Sequence, residues 1–307
     1  MHCAYVTHPD CMRHEMGPGH PESPARLSAI HDRLLFDGIL DFMSVHDAPM
    51  ATQEQLCRAH TPEHVARIMA STPMDGYVQV DPDTSMNPHT VVAALRAAGA
   101  VVLATDLVLG ARADTAFCCV RPPGHHAERA AAMGFCFFDN VAVGICHALA
   151  AHGLERVALV DFDVHHGNGS QDIFRDDPRV LMCSTYELDL YPFPTDTSGP
   201  NMVNVGLPPR SGGEAFRRAV EETWIAAIDR FEPQLIVVSA GFDGHRADDM
   251  GNLGLVEADY QWVTRELVKL AQRHCAGRVV SSLEGGYHLP SLARSVAAHV
   301  SALMGAA

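Results

Sequence analysis

Five short runs of this chain are almost wholly apolar and rich in β-branched residues: TAFCCV (115–120), RVALVDF (156–162), RVLMCST (179–185), QLIVVSAG (234–241) and RVVSSLEG (278–285). A strand with one face in water alternates polar and apolar residues, whereas a strand covered on both faces does not. The runs therefore predict a sheet buried between two helical layers. Segments 23–37, 88–109, 139–152, 213–231, 257–274 and 289–304 read as helices, with Gly153 and Pro233 as stops behind two of them. Strands alternating with helices build parallel βαβ units. No repeat, low-complexity segment or linker interrupts the 307 residues. The expectation is one α/β domain over residues 1–307, with a central, mostly parallel sheet flanked by helices on both faces. The polar stretches 8–22, 71–88 and 186–202 read as long loops, which in compact domains usually serve function.

Composition narrows the class. The formal net charge is −15, from 22 basic and 37 acidic residues without long runs, and this argues against nucleic acid or an anionic membrane as partner. The opening MHCAYVTHPD has no basic and apolar leader pattern, and no stretch reaches about 18 uninterrupted apolar residues. A cytoplasmic protein that neither enters nor crosses a membrane is expected. Nine cysteines without a CxxC spacing read as buried, reduced thiols. Homo-oligomer formation is compatible with the sequence and not decided by it. Nineteen histidines, with doublets at His125–His126 and His165–His166, point to metal or proton chemistry.

The polar clusters follow the strands rather than precede them: RPPGHH after 115–120, DVHHGNG after 156–162, FDGH after 234–241 and EGGY after 278–285. Ligand sites of open α/β sheets lie outside the carboxyl ends of the strands, so these clusters are expected on one rim. Asp163 and His165 are two residues apart and can point to the same side. With Asp243 from a neighbouring strand they make an Asp–His–Asp set that leaves a fourth position open, the pattern of a catalytic zinc. Taken alone, DVHHG is equally well a capped strand end, and PGHH more often a loop of solvated histidines; the other clusters on the rim weigh against the first. His125 and His126 suit general-base work, since neutral imidazole titrates at about 6.5. Tyr287, behind two glycines, has a phenol that can donate to a developing oxyanion. Taken alone, it is more often a packing residue.

The strings HPESPARL (20–27), RPPGHHA (121–127), GFCFFDN (134–140), DFDVHHGNGSQ (161–171), SAGFDGH (239–245) and LEGGY (283–287) resemble, in order and over nearly the whole chain, the histone deacetylase and acetylpolyamine amidohydrolase family, whose fold is arginase-like. Asn168, where class I members carry aspartate, resembles the class II and bacterial branch. The resemblance implies a zinc held by Asp163, His165 and Asp243. It also implies His125 and His126 as tandem base and acid, backed by Asp161 and Asn168, and Tyr287 as the oxyanion donor. It assigns Gly134 the carbonyl that accepts the substrate amide N–H, and Phe135 and Tyr191 the walls of a narrow tunnel. It further implies one potassium at Asp161, Asp163, His165, Ser184 and Thr185, and a second at Phe174, Asp177 and Val180.

The expected reaction is hydrolysis of an N-acetylated amine, releasing acetate. An apolar Met250 near the tunnel mouth, where polyamine-type relatives carry a glutamate, favours acetyl-lysine in a peptide or protein over an acetylated polyamine. Asp83 is expected to hold the substrate backbone, with Glu15 and Asp248–Asp249 as further candidates for the entrance. The alternatives are an arginase-type hydrolase with two manganese ions and a non-catalytic acyl-lysine-binding module. His2, His14, His46, His60, His64, His147, His152 and His299 are read as ordinary surface or capping residues.

Overall fold

The computed structural model describes residues 1–194 and 196–306. Its strands are β1 (Cys3–Thr7), β2 (Met43–Asp47), β3 (Val78–Asp81), β4 (Thr84–Met86), β5 (Thr115–Cys118), β6 (Val157–Asp161), β7 (Val180–Glu187), β8 (Met202–Leu207), β9 (Leu235–Ala240) and β10 (Val279–Leu283). Its α-helices are α1 (Ala25–Phe36), α2 (Gln53–Ala59), α3 (Pro62–Ala70), α4 (Thr90–Leu109), α5 (Asn140–Ala151), α6 (Asn168–Phe174), α7 (Gly213–Ala219), α8 (Ile225–Phe231), α9 (Glu257–His274) and α10 (Leu289–Leu303). One π-helical turn, Val220–Trp224, joins α7 to α8.

Eight strands form one sheet in the order β2-β1-β5-β10-β9-β6-β7-β8, and every neighbouring pair is parallel. The chain leaves β5 for β6 and skips two places that only β9 and β10 later fill. The carboxyl ends of β5, β10, β9 and β6 thus lie side by side, and these are the four strands that carry the polar clusters. Helices α1, α10 and α9 pack on one another in one layer, and α4, α5 and α2 in another. Strands β5, β6, β7, β9 and β10 are buried throughout, as double coverage requires. Helix α4 is long and apolar enough to cross a bilayer by composition, but 72% of its most apolar window is buried in the fold, so packing accounts for its character.

Several elements depart from the sequence reading. Strand β2 is an edge strand with alternating burial, and Val45 is 62% exposed, so no continuous apolar run marks it. The stretch 71–88 contains the β3–β4 hairpin, and β8 starts where the loop 186–202 was expected to end. Helices α2 and α3 are only two turns long; their signals are caps, Thr52 with Gln55 and Thr61 before Pro62, rather than periodicity. The histidines also differ. His14, His60, His64 and His299 are fully or almost fully buried, not surface groups. His299, for instance, bridges Thr264 Oγ1 (2.7 Å) and Ser281 Oγ (2.8 Å), and burial pushes its pKa down to about 3. His147 and His152 both reach Asp106 Oδ1 between α4 and α5, at 2.8 and 2.7 Å. All nine cysteines are free thiols, buried except for Cys57 and Cys146.

A buried ionic cluster ties the N-terminal loop to the strand ends. Glu22 accepts from Arg121 Nε and Nη2 (2.6 Å for the latter) and from Arg26 Nη1 (3.1 Å), and all three side chains are inaccessible to water. Arg121 also donates to the carbonyls of Cys11 (2.9 Å) and His14 (3.0 Å), and Arg26 to those of Gly286 (2.6 Å) and Glu284. Burial pushes the Glu22 carboxyl up, but Arg121, His14 and Arg26 outweigh it and hold it at about 2. Glu22→Gln leaves two buried guanidinium groups without their counter-charge, and a loss of about 3–5 kcal/mol is expected in urea unfolding. A loss below about 1 kcal/mol would mean the clamp is not what closes this region. Because the folded pKa lies below the unfolded one, the contribution of Glu22 is complete above about pH 4.5 and disappears as pH falls toward 2.

Candidate active site

Strand β6 ends at Asp161 and β9 at Ala240, and the turns behind them bring Asp163, His165 and Asp243 together. Each offers one ligand atom, all within 4.8 Å of one another, and all three residues are buried. His165 Nδ1 lies 3.0 Å from Asp163 Oδ1 and 3.2 Å from Asp243 Oδ2. Atoms bound at about 2.0–2.1 Å to one tetrahedral ion stand about 3.3 Å apart, so the set is already close to zinc geometry. Asp243 Oδ2 is buried without a well-aligned hydrogen bond, an acceptor left for a cation. The other oxygens are taken: Val164 N–H donates to Asp243 Oδ1 (3.0 Å), His165 N–H to Asp163 Oδ1 (2.9 Å) and Gly285 N–H to Asp163 Oδ2 (2.9 Å). Gly241 and Gly285 leave the room, since a Cβ on either would strike these carboxylates. Burial pushes His165 down, but Asp163 and Asp243 pull it up to about 10, and burial beside Asp163 lifts Asp243 to about 6. The cleft is built for positive charge.

The loop after β5 places two imidazoles beside it, their centroids 4.1 Å apart. His125 Nδ1 meets Asp161 Oδ2 at 3.0 Å, and its Nε2 lies 3.8 Å from Asp163 Oδ1. Burial works against its charge, yet Asp163 and Asp161 raise its pKa well above the ordinary value. His126 behaves oppositely: burial, then the charges on His125 and His165, push it well below. Asn168 fixes its tautomer. The Asn168 amide donates from Nδ2 to Glu128 Oε1 (2.9 Å), which turns Oδ1 toward His126 Nδ1 at 2.7 Å. Nδ1 must then carry the proton, leaving the Nε2 lone pair free. Two neighbouring rings pushed to opposite charge states are how a base and an electrostatic partner are set apart. His166, the other half of the second doublet, turns away to Gln171 Oε1 (3.1 Å).

Behind β10, Glu284 accepts the N–H groups of Gly124 (2.6 Å) and His125 (3.2 Å), and burial pushes its carboxyl up to about 8. The next two glycines deliver Tyr287. Gly286 has φ +117°, and a Cβ there would meet Leu292 Cδ1 at 2.7 Å. The guanidinium of Arg26 lies 4.9 Å from the Tyr287 ring centroid. Burial pushes the phenol pKa well above its usual range despite Arg26, so it remains a donor at neutral pH. Asp248 does not point into the entrance, as the sequence reading allowed; it is buried and accepts Tyr287 N–H (2.6 Å) and His288 N–H (2.9 Å). Asp249 is exposed, and Met250 is half-buried on the same loop.

Phe135 stands edge-on to Tyr287 (centroids 6.1 Å) and to His20 (4.8 Å), and Tyr191 edge-on to His126 (5.2 Å) and His165 (6.3 Å). Both aromatics thus border the cleft. Gly134 (φ +56°) and Phe135 (φ +68°) are both left-handed, and a Cβ on Gly134 would enter the His126 ring. The bend is strained at Phe135 and pinned by Asp83 Oδ1, which accepts Gly134 N–H (3.2 Å), and by Thr84 Oγ1, which accepts Phe135 N–H (3.0 Å). Burial and Asp83 lift the neighbouring Asp81 to about 6, so two carboxyls share this hairpin. Ser184 is paired with Asp161 across β6–β7, and its buried hydroxyl has no partner among the described residues; Thr185 follows it, also buried. The carbonyls of Phe174, Asp177 and Val180 also converge, and the Nδ2 of Asn201 stands among them. Glu284, Arg26 and Asp139 had no role assigned from sequence, although LEGGY, HPESPARL and GFCFFDN contain them.

Residues 20–303 match the family model described as the histone deacetylase domain. The chain is 36% identical to a probable deacetylase of Archaeoglobus fulgidus over 92% of this chain and 80% of that protein. It is also 36% identical to the human polyamine deacetylase HDAC10, over 92% of this chain and 44% of that protein. The crystal structure of the HDA15 HD domain superposes with a TM-score of 0.92 at 32% identity, covering 99% of this chain and 90% of that one. The eight-stranded parallel sheet and the site at its carboxyl ends are therefore those of a deacetylase, and the chain belongs to the histone deacetylase family.

Proposed function

We propose that this protein is a zinc-dependent deacetylase that hydrolyses the amide of acetyl-lysine in a peptide or protein. The reading rests on one observation: a buried Asp163–His165–Asp243 cleft with an orphaned carboxylate oxygen, beside a His126 that is held neutral with Nε2 free. When bound there, zinc supplies a Lewis acid that polarises the acyl oxygen and makes water acidic enough to attack near neutral pH. His126 Nε2 takes a proton from the attacking water as the carbon–oxygen bond forms. His125, kept charged by Asp161 and Asp163, supports the oxyanion, and the Tyr287 hydroxyl donates to it. His126 then returns the proton to the amine nitrogen as the carbon–nitrogen bond breaks, releasing amine and acetate. Phe135 and Tyr191 would hold the thin methylene chain of the substrate between two aromatic faces. Ser184 and Asp161 support the reading of one potassium ion beside the cleft.

Acetylated polyamine is the second reading. The Asp81–Asp83 pair on the hairpin beside the cleft favours it, because a second ammonium group would relieve like-charge crowding there. The half-buried Met250 favours acetyl-lysine. An acetyl-lysine peptide is expected to be turned over faster than acetylputrescine or acetylspermidine; the reverse order transfers the assignment to polyamines. The two-manganese alternative has little support among the described residues, since the other His/Asp grouping, Asp106 with His147 and His152, lies on and just behind α4 and α5 rather than at the strand ends.

Three experiments test the chemistry. The purified protein should carry one tightly bound zinc per chain, and His165→Ala or Asp243→Ala should lose both metal and activity; two catalytic ions per chain, or activity that survives chelation, contradict the assignment. Tyr287→Phe should lower kcat by roughly 10²–10³-fold with zinc content unchanged, the scale of one oxyanion donor. A drop within about threefold, on the order of 0.6 kcal/mol, would make Tyr287 a packing residue. Asn168→Asp places a carboxylate against His126 and raises its pKa. The base then stays protonated to higher pH, so the acidic limb of the pH–rate profile should move upward. An unmoved limb would show that His126 is not the base.

A further inference from the structure

The turn between α6 and β7 aims three backbone carbonyls at one point, and that point is occupied by a side chain. Asn201, just before β8, is 9% exposed and sets its Nδ2 at 2.7 Å from Phe174 O, 3.0 Å from Asp177 O and 2.8 Å from Val180 O. This is the spacing a potassium ion keeps when carbonyls replace its hydration shell. Two of the oxygens have a further donor: Asp177 N–H reaches Phe174 O (2.9 Å) and Val180 N–H reaches Asp177 O (3.1 Å). Their lone pairs are thus used by one backbone and one amide donor each. The Asn201 carbonyl is engaged as well, accepting Met182 N–H at 2.9 Å.

The orientation of the amide follows from its surroundings. Turning Oδ1 inward would set a fourth oxygen against three, which only a cation could offset, and the amide itself fills the space that cation needs. With Nδ2 inward, two N–H groups serve three acceptors, and Oδ1 is left buried without a donor among the described residues. An amide also needs no counter-charge and no removal of an ion's water. We propose that Asn201 replaces the second potassium ion that the family resemblance implies at Phe174, Asp177 and Val180, so that this chain holds at most one such ion. Helix α6 has Asn168, the partner of His126, at one end and Phe174 at the other. A side-chain plug makes the seating of that helix independent of potassium concentration.

Thallous ion, a heavy stand-in for potassium, tests this by anomalous diffraction, which reads ion positions rather than activity. Soaked crystals of the unaltered protein should show no peak inside the Phe174–Asp177–Val180 cage. Crystals of Asn201→Ala should gain one there. In parallel, Asn201→Ala should melt several degrees lower than the unaltered protein in choline chloride and recover most of that gap in potassium chloride. A thallium peak in the cage of the unaltered protein overturns the proposal, as does a gap that potassium does not narrow. If the alanine variant does not fold without potassium, its rescue by potassium during refolding supports the proposal, and failure to rescue overturns it.

Discussion

The architecture of this protein turns on an accumulation of buried negative charge. Asp139, Asp161, Asp163, Asp243 and Glu284 are at most 1% exposed, and all lie at or just beyond the ends of β6, β9 and β10 or at the start of α5. Isolated carboxylates cannot be kept charged out of water without partners. The surroundings supply those partners in three forms. Histidines 125 and 165 are driven toward their charged state, backbone N–H groups of 124, 125, 164, 165 and 285 point at carboxylate oxygens, and one oxygen of Asp243 is left over. Where partners do not suffice, the proton does, and burial lifts Asp139 to about 7 and Glu284 to about 8. A cation-binding cleft is the direct outcome of this arrangement.

Precision at the cleft comes from a second layer of charge beneath it. Glu22 and Arg121 join the N-terminal loop to the segment that leads to His125, while Arg26 carries the carbonyls of Glu284 and Gly286 and lies over the Tyr287 ring. Asp248 takes the N–H of Tyr287 from the other side. Tyr287 is thus held through its backbone on two sides and its ring on a third, which leaves the phenol as the part free to act. Positioning of this kind is worth more in a buried site than in water, because fixed dipoles need not reorganise during reaction.

The same principle gives different outcomes at different carbonyl or carboxylate clusters. At Asp163, His165 and Asp243 one buried carboxylate oxygen is left without a donor among the described residues, which suits a cation. Around Asn201 the chain has supplied its own donor, and none is needed. Whether a concave polar site binds an ion depends on the last few ångströms of side-chain placement rather than on the residues that form its walls.

The sequence by itself determined the sheet's buried strands, the layered class and which polar residues gather at the strand ends. Short apolar runs rich in β-branched residues and bounded by turn signals fit doubly covered strands, and polar residues at their carboxyl ends converge because parallel strands share one end. It did not reveal β2, an edge strand whose burial alternates, or β1, whose apolar run CAYV is only four residues long, nor that His14, His60, His64 and His299 are interior, since periodicity says nothing about a hydrogen bond closed by a distant partner. The tautomer of His126, the inward turn of Asp248, the seat of Arg26 against Tyr287 and the Asn201 plug were decided by tertiary structure alone. Each joins residues 39 to 261 positions apart, or depends on which way a side-chain amide faces, and such geometry exists only once the whole sheet has assembled.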